Sequence, residues 1–206
     1  MARDTGPQCK QCRREGQKLF LKGERCLTEK CGVERRSYPP GEHGRGRVRA
    51  SEYRNQLREK QKARRFYGLL EKQFRSYYDK ASRQEGVTGD NLLRICERRF
   101  DNVLVRLGFA ASRRQARQLI RHGHWQINGR RVDIPSYQVR ENDVITFKPG
   151  SDAENVIRDA TELVAQVPAW LQADHDQLTA KVLRRPERAE IAAPVQEQLI
   201  VELYSK

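Results

Sequence analysis

The sequence has no long hydrophobic runs, and their absence excludes several kinds of protein. Hydrophobic residues make up 37% of the chain and charged residues 33%, and no apolar stretch approaches the roughly 18 residues that a membrane-spanning helix needs. The amino-terminal sequence MARDTGPQCK also lacks the apolar core of a signal peptide. We therefore expect a cytoplasmic protein with no membrane partner, whose cysteines stay reduced.

Motifs of nucleotide-dependent enzymes are also missing. The sequence contains no P-loop, no GxGxxG run and no HIGH-type adenylate motif, which are common means of binding ATP or a dinucleotide. We therefore expect neither an enzyme with catalytic residues nor a small-molecule substrate.

Positive charge, in contrast, is in large excess. The chain has 41 basic and 27 acidic residues, a net charge of +14, which is typical of a protein that binds nucleic acid or an anionic membrane. Residues 1–65 carry 19 basic and 8 acidic groups, and residues 112–148 carry 8 and 3. Residues 149–206 carry 6 basic and 10 acidic groups. We expect the anion-binding surface in the first two regions, and structural packing or a protein neighbour for the last.

Four of the five cysteines fall within the first fifty residues. Cys9 and Cys12 form a CxxC pair, and Cys26 and Cys31 form a second pair thirteen residues later. Two close pairs of soft ligands suit a tetrahedral zinc ion and leave no open position for a substrate. We therefore predict one structural zinc ion, which would replace a hydrophobic core in this segment. Free thiols and an iron–sulfur cluster are the alternatives.

Residues 32–50 combine prolines, glycines and arginines. This composition predicts an extended, turn-rich basic strap along a phosphate backbone, with Tyr38 stacking on a base; a disordered linker is the alternative.

Ser51 then caps a predicted basic helix that runs to about Phe66. The candidate RNA contacts in these two elements are Arg35, Arg36, Tyr38, Arg45, Arg47, Arg49, Tyr53, Arg58, Lys60, Lys62, Arg64 and Arg65.

The sequence pattern of residues 98–147, a segment that we call the wedge, predicts two short helices followed by a hairpin. Ser112 and Gln115 have capping-box spacing, and Gly123 is suited to end the second helix in the left-handed conformation. Arg113, Arg117 and Arg121 recur every four residues, so we predict that they project together from one helix face. Like charges at this spacing repel one another, and a bound polyanion would relieve the repulsion.

The dipeptide Asn128-Gly129 lies between alternating apolar and polar residues and predicts a type I′ hairpin turn. Further predicted elements are a strand at 144–147, a helix capped by Ser151 with Glu154 and ended by Pro168, and a strand through residues 178–182. The candidate RNA contacts of the wedge are Arg113, Arg114, Arg117, Arg121, His122, His124, Asn128 and Arg130. Solvated surface charges are the alternative for each of the basic residues, and a metal ligand or proton shuttle for the two histidines.

The runs DNVLVRLGFA, SRRQARQLIRHGHWQINGRRV and IPSYQV resemble the RNA-binding module named after bacterial small ribosomal subunit protein four. The amino-terminal cysteine region, LREKQKARRFYGLLEKQF (57–74) and EQLIVELYSK (197–206) also resemble that family, so the resemblance spans nearly the whole chain. It favours zinc at the four cysteines, because many members of the family have such a site at matching positions, although others lack it.

The resemblance implies an α+β fold with three parts. These are a zinc-knuckle segment with the basic strap (1–50), a small all-helical domain (51–97 plus 186–206) and an RNA-binding domain of short helices packed on an antiparallel sheet (98–185, with the wedge as its core). The carboxyl terminus would return to the helical domain and make that domain discontinuous.

The function implied by the resemblance is that of a structural constituent of the small ribosomal subunit. Such a protein binds 16S rRNA at a helical junction, nucleates subunit assembly, lies beside neighbouring ribosomal proteins and the region where mRNA enters, and contributes to decoding accuracy. It would be cytoplasmic and ribosome-bound. The alternatives are a non-ribosomal structured-RNA-binding or RNA-modifying protein, or a stress protein that rescues stalled ribosomes, with the same wedge.

Overall fold

A computed structural model describes residues 3–46, 49, 51–163 and 166–206. The chain forms two compact units: unit 1 comprises Met1–Leu92 with Ala193–Lys206, and unit 2 comprises Leu93–Ala192. Helices and one antiparallel sheet are both present, so the predicted α+β class is confirmed. Within the described ranges, none of the helices has the length and apolar character needed to cross a membrane.

The first part of unit 1 consists of short helices joined by turns. Helix α1 spans Gln8–Glu15 and α2 spans Gly32–Arg35, while single 3₁₀ turns occupy Gly23–Cys26 and Glu42–Arg45. The expectation of an extended strap is therefore wrong for α2 and the second 3₁₀ turn, where the chain closes local backbone hydrogen bonds.

The rest of unit 1 is helical. Its helices are α3 (Glu52–Phe66), α4 (Glu71–Ala81), the first part of α5 (Thr88–Glu97) and the carboxyl-terminal α9 (Glu197–Tyr204). Ser51 Oγ accepts a hydrogen bond from the Arg54 N–H, so the predicted cap of α3 is confirmed. Helix α9 lies against α3 and α4, with hydrogen bonds from Gln56 to Glu202 and from Tyr204 to Glu71.

Unit 2 contains the end of α5, further short helices and a five-stranded antiparallel sheet. Its helices include α6 (Phe100–Arg106), α7 (Arg113–Arg121) and α8 (Glu154–Thr161), and the strands are β1 (Trp125–Ile127), β2 (Arg130–Arg131), β3 (Val144–Phe147), β4 (Leu171–Asp174) and β5 (Thr179–Val182). The strand order is β2-β1-β3-β5-β4. Asn128 and Gly129 both have positive φ, at 51° and 75°, which confirms the predicted hairpin turn.

The segment after the wedge differs from its prediction. Helix α8 spans only Glu154–Thr161 and has Ala153 at its N-cap without a side-chain hydrogen bond, so the predicted Ser151–Glu154 capping box is wrong. Ser151 is hydrogen-bonded to His124 instead. Helical spacing in the sequence places Val156, Leu163 and Val164 on one inward face, but Val156 and Leu163 are 46% and 40% exposed, and Val164 lies outside the described residues. Strand β4 was not predicted.

A single apolar cluster in unit 2 fixes the relation between its helices and its sheet. Trp125, Ile145 and Phe147 from the sheet pack with α6, α7 and Ile157 of α8. The alternation of buried and exposed residues along β1, β3 and β5 places their polar side chains on the other face. Helix α7 is therefore held by its apolar side against the sheet and α6.

Candidate nucleic-acid interface

The four amino-terminal cysteines converge on one cavity. Cys9 and Cys12 lie on α1, Cys26 ends a 3₁₀ turn and Cys31 is the N-cap of α2, and all four line the same space. None of the five cysteines, all of which the structure describes, forms a disulfide. Over residues 3–46, 49, 51–163 and 166–206, no three His, Cys, Asp or Glu side chains are arranged so that they could hold a metal ion as they stand.

Two thiols of the cysteine cavity have pKa values that reflect their burial and the proximity of the other thiols. Burial raises the pKa of Cys12 and of Cys26, and neighbouring thiols of the group raise both further. The Lys22 N–H donates to Cys26 Sγ at 3.4 Å and opposes part of this shift. A Cβ on Gly32 would lie 2.8 Å from Cys9 Cβ, so the approach of α2 to α1 depends on the missing side chain. Backbone packing therefore brings the two pairs together.

Tyr38 of the basic strap is already covered by cations. The guanidinium of Arg13 lies 4.9 Å from its ring centroid and that of Arg45 lies 4.6 Å away. Arg13 also donates to the backbone oxygens of Tyr38 and Pro39. The hydrogen bond and charge of Arg45 lower the pKa of the Tyr38 phenol, although its partial burial opposes the shift. Tyr38 is thus bound to α1, and a base that stacks on it would compete with these guanidinium groups.

The other predicted strap residues are exposed where the structure describes them. Arg35 lies at the end of α2, and Arg36, Arg45 and Arg49 follow it with exposed side chains. The prediction for Arg47 lies outside the described residues. These exposed arginines give the amino-terminal segment a cationic surface.

Many basic residues of α3 are paired with carboxylates of unit 1. Arg65 forms an ion pair with Glu15 of α1, and Arg58 lies 3.5 Å from the same carboxylate. Burial raises the pKa of Glu15 although both cations oppose the shift. Lys62 contacts Glu59 at 2.5 Å.

Lys60 is buried, at 7% exposure, and contacts Glu71 of α4 at 2.8 Å. It was predicted to contact RNA, but its position is that of a structural ion pair. Arg64 is half-buried, with its Nε 3.8 Å from Glu71, whereas Tyr53 is 60% exposed. Helix α3 therefore presents fewer unpaired cations than its sequence indicated.

The arginine side chains of α7 point in two directions, toward solvent and toward the interior. Ser112 Oγ accepts from the Gln115 N–H, and the Gln115 side chain accepts from the N–H of Ala111, so the predicted capping contacts are present with the return bond shifted by one residue. Arg121 is exposed and Arg114 is half-buried. Arg117 is only 8% exposed and its Nε donates to Asp101 at 2.6 Å. Arg113 also turns toward α6, where its Nε donates to Asn102 Oδ1 at 2.8 Å. The expectation that Arg113, Arg117 and Arg121 project together is therefore wrong for Arg113 and Arg117.

The predicted residues at the end of α7 and in the hairpin have different surroundings. His122 and Arg130 are exposed. The His124 ring contacts Ser151, and its burial, together with His122, lowers its pKa, which favours the neutral imidazole at pH 7. Asn128 donates to Asp143 and accepts from the N–H of Val144, so its amide secures the turn.

Arg131 belongs to the same surface and was not predicted. It is exposed, and its guanidinium lies where a Cβ on Gly123 would fall, directly over the end of α7. A cation at this position is favoured by the negative end of the helix dipole. The adjacent pair Arg130-Arg131 is the signal in the sequence, but side chains alternate between the two faces of a strand, and the sequence does not show which of the two faces α7.

The chain is similar over its full length to known proteins. Residues 3–97 match the family described as the ribosomal protein S4/S9 N-terminal domain, and residues 98–145 match the S4 domain. The chain is 59% identical to small ribosomal subunit protein uS4 of Pelotomaculum thermopropionicum, and 57% identical to the proteins of that name from Geobacter sp. strain M21 and Desulforamulus reducens. Each alignment covers 100% of both chains. The resemblance identified in the sequence is confirmed, and the chain belongs to the family of small ribosomal subunit protein uS4.

Proposed function

We propose that this protein is a structural, non-enzymatic constituent of the small ribosomal subunit in the cytoplasm and binds small-subunit rRNA directly. The observation that carries the proposal is the full-length identity of 59% to a relative named small ribosomal subunit protein uS4. The exposed cations at the end of α7 and in the hairpin agree with it, because phosphate neutralisation supplies most of the affinity for structured RNA.

The finer parts of this proposal concern the rRNA target and its consequences. The protein would bind 16S rRNA at a junction of helices, where shape and backbone phosphates are recognised. In this position it would nucleate subunit assembly, contact neighbouring ribosomal proteins, lie near the region where mRNA enters and influence decoding accuracy. The wedge (98–147) would be the core of an RNA-binding domain at 98–185, beside a helical domain at 51–97 plus 186–206.

Sedimentation tests the ribosomal role. A cell lysate is centrifuged through a sucrose gradient in high salt, and the fractions are probed for this protein. We expect it in the small-subunit fractions, because an integral component keeps many simultaneous rRNA contacts. Recovery at the top of the gradient would instead indicate a transient RNA-binding protein and would contradict the proposal.

Salt dependence tests the RNA surface itself. The affinity of the purified protein for a 16S rRNA transcript is measured over a range of KCl concentrations, for wild type and R121A. Each lost phosphate contact should reduce the slope of log K against log[salt] by about 0.7–0.9. The control is R158A, which removes an exposed arginine from α8 that is paired with Glu154. Equal slopes for R121A and R158A would contradict a phosphate contact at α7.

We also propose that Cys9, Cys12, Cys26 and Cys31 bind one structural zinc ion. The support is the chemistry of the donor set and the common cavity that the four thiols line. Four thiolates complete a tetrahedral site, and a small movement of the loops would have to bring the sulfurs to ligating distance. The ion would supply the cross-link for a segment that buries little apolar surface.

Metal content tests the zinc proposal. Elemental analysis of the purified protein should give one zinc per chain, and C12S should lose it. C96S is a matched control, because Cys96 is a fully buried thiol on α5 outside the group of four. Absence of zinc from the wild type, or retention by C12S, contradicts the site. Iron with visible absorbance would instead identify a cluster.

A further inference from the structure

Unit 2 contains a buried group of charges that the RNA surface does not use. Asp101, in the first turn of α6, accepts two hydrogen bonds from Arg99, at 3.0 Å from Nε and 2.7 Å from Nη2. Its Oδ2 also accepts from Arg117 Nε at 2.6 Å. Arg99 and Asp101 are completely buried and Arg117 is 8% exposed. One carboxylate thus bridges two guanidinium groups inside the fold.

The bridge joins the start of α6 to the middle of α7. Backbone hydrogen bonds from Phe100 to Tyr137 O and from Asp101 to Pro135 O fix the start of α6 to the loop before β3. Arg117 extends from α7 to this fixed point. Because a buried guanidinium and a carboxylate both lose hydration, a change in this geometry would leave charges uncompensated. The bridge therefore restricts the position of α7 more strictly than apolar packing alone.

A second polar chain fixes the beginning of α7. Glu97 accepts hydrogen bonds from Arg106 and from the amide of Asn102. Asn102 in turn accepts from Arg113 Nε at 2.8 Å. The two inward-directed arginines of α7 are therefore both engaged by α6. Two of the exposed cations of this surface, Arg121 and Arg131, lie at the far end of α7, together with His122.

We propose that Arg117 is a positioning residue which contacts no RNA and which, through Asp101, holds α7 so that Arg121 and its neighbours meet the phosphates. This inference rests on the proposed function, because it assigns roles within the same RNA surface. Its physical basis is that a guanidinium held at 2.6 Å by a buried carboxylate would have to abandon that charge to reach a phosphate.

The test measures affinity and salt slope for a 16S rRNA transcript with the full chain. R117M, which keeps the length of the side chain without its charge, should lower the affinity by roughly 2- to 30-fold at every salt concentration and leave the slope unchanged. D101N should also lower the affinity and leave the slope unchanged, although the removal of a negative charge would by itself favour binding to RNA. R121A should reduce the slope by about 0.7–0.9. A reduced slope for R117M, or tighter binding by D101N because Arg117 is released to RNA, would overturn the proposal.

A measurement on the wild type covers the case in which these variants do not fold. The Arg117 Nε–H signal in NMR spectra should exchange slowly with solvent and stay in place when an rRNA fragment is added, while that of Arg121 shifts. Movement of both signals would overturn the positioning role. If neither R121A nor R114A changes the salt slope, α7 presents no phosphate contacts and the positioning role of Arg117 is overturned, whereas recovery of the protein in the small-subunit fractions would leave the proposed ribosomal function standing.

Discussion

The cysteine segment (residues 3–46) and unit 2 achieve order in different ways. Unit 2 has an apolar cluster of twenty buried residues, with further apolar side chains packed around it. The buried apolar residues of the cysteine segment are Leu19, Leu21 and three cysteines, Cys12, Cys26 and Cys31. Polar contacts add to its order, among them local backbone hydrogen bonds, the ion pairs of Glu15 and the hydrogen bonds from Arg13 to backbone oxygens.

This difference predicts which perturbations each region resists. Hydrophobic burial depends little on pH or ligands, whereas thiol ligation depends on both. Unit 2 should therefore be destabilised mainly by cavities and backbone strain. The cysteine segment should respond to metal removal and to loss of single polar contacts.

Metal removal should have the largest effect and should separate the two regions. Structural zinc contributes about 10–16 kcal/mol in zinc-finger peptides, so a chelator at neutral pH should strongly increase hydrogen exchange across residues 3–46. Unit 2 should remain protected. Hydrogen exchange followed by mass spectrometry checks this, and equal behaviour of both regions would contradict the proposed zinc dependence.

Replacing Trp125 should have the next largest effect, confined to unit 2. Its ring is completely buried, 5.0 Å from that of Phe109 and 5.6 Å from that of Phe147. W125A should reduce the free energy of unfolding by about 3–5 kcal/mol in urea titrations. W125F should cost less, because it keeps an aromatic ring and removes an indole N–H that has no hydrogen-bond partner in the described part of the chain. Similar losses for W125A and Y53A, an exposed aromatic, would contradict a dominant apolar core.

Gly123 and Gly129 test backbone strain at two turns of unit 2. Both have positive φ, 77° and 75°, so an alanine at either position should cost about 1–2 kcal/mol. A Cβ at Gly129 meets open space, whereas one at Gly123 would displace Arg131. G123A should therefore lower thermal stability more than G129A and also weaken RNA binding. The reverse order would show that Arg131 adapts without cost.

The smallest effect should come from Arg13. R13A removes the stacking on Tyr38 and the hydrogen bonds to two carbonyl oxygens, together worth about 1 kcal/mol. Hydrogen exchange of residues 38–46 should rise locally, with no change in unit 2. R14A, which removes a single exposed bond to Pro40, is the control and should change exchange less. Equal effects would show that Tyr38 is held by other contacts.

Sequence motifs predicted the structure correctly where the conformation depends only on neighbouring residues. The Ser51 and Ser112 caps, the turn at Asn128-Gly129 and the end of α7 at Gly123 all occur as predicted, since each depends on neighbouring backbone groups. The same reasoning failed at Ser151, whose hydroxyl bonds to His124, a residue far away in sequence. It also failed for the length of α8.

The candidate interface divides in the same way. Composition and resemblance were enough to indicate an RNA-binding protein and its family, because charge and motif spacing are properties of the sequence. Helical periodicity could not distinguish Arg117 from Arg121, since both lie on one row. The position of Asp101 on a packed neighbouring helix makes Arg117 part of the interior. Which cations reach solvent depends on such long-range partners, and these exist only after the chain has folded.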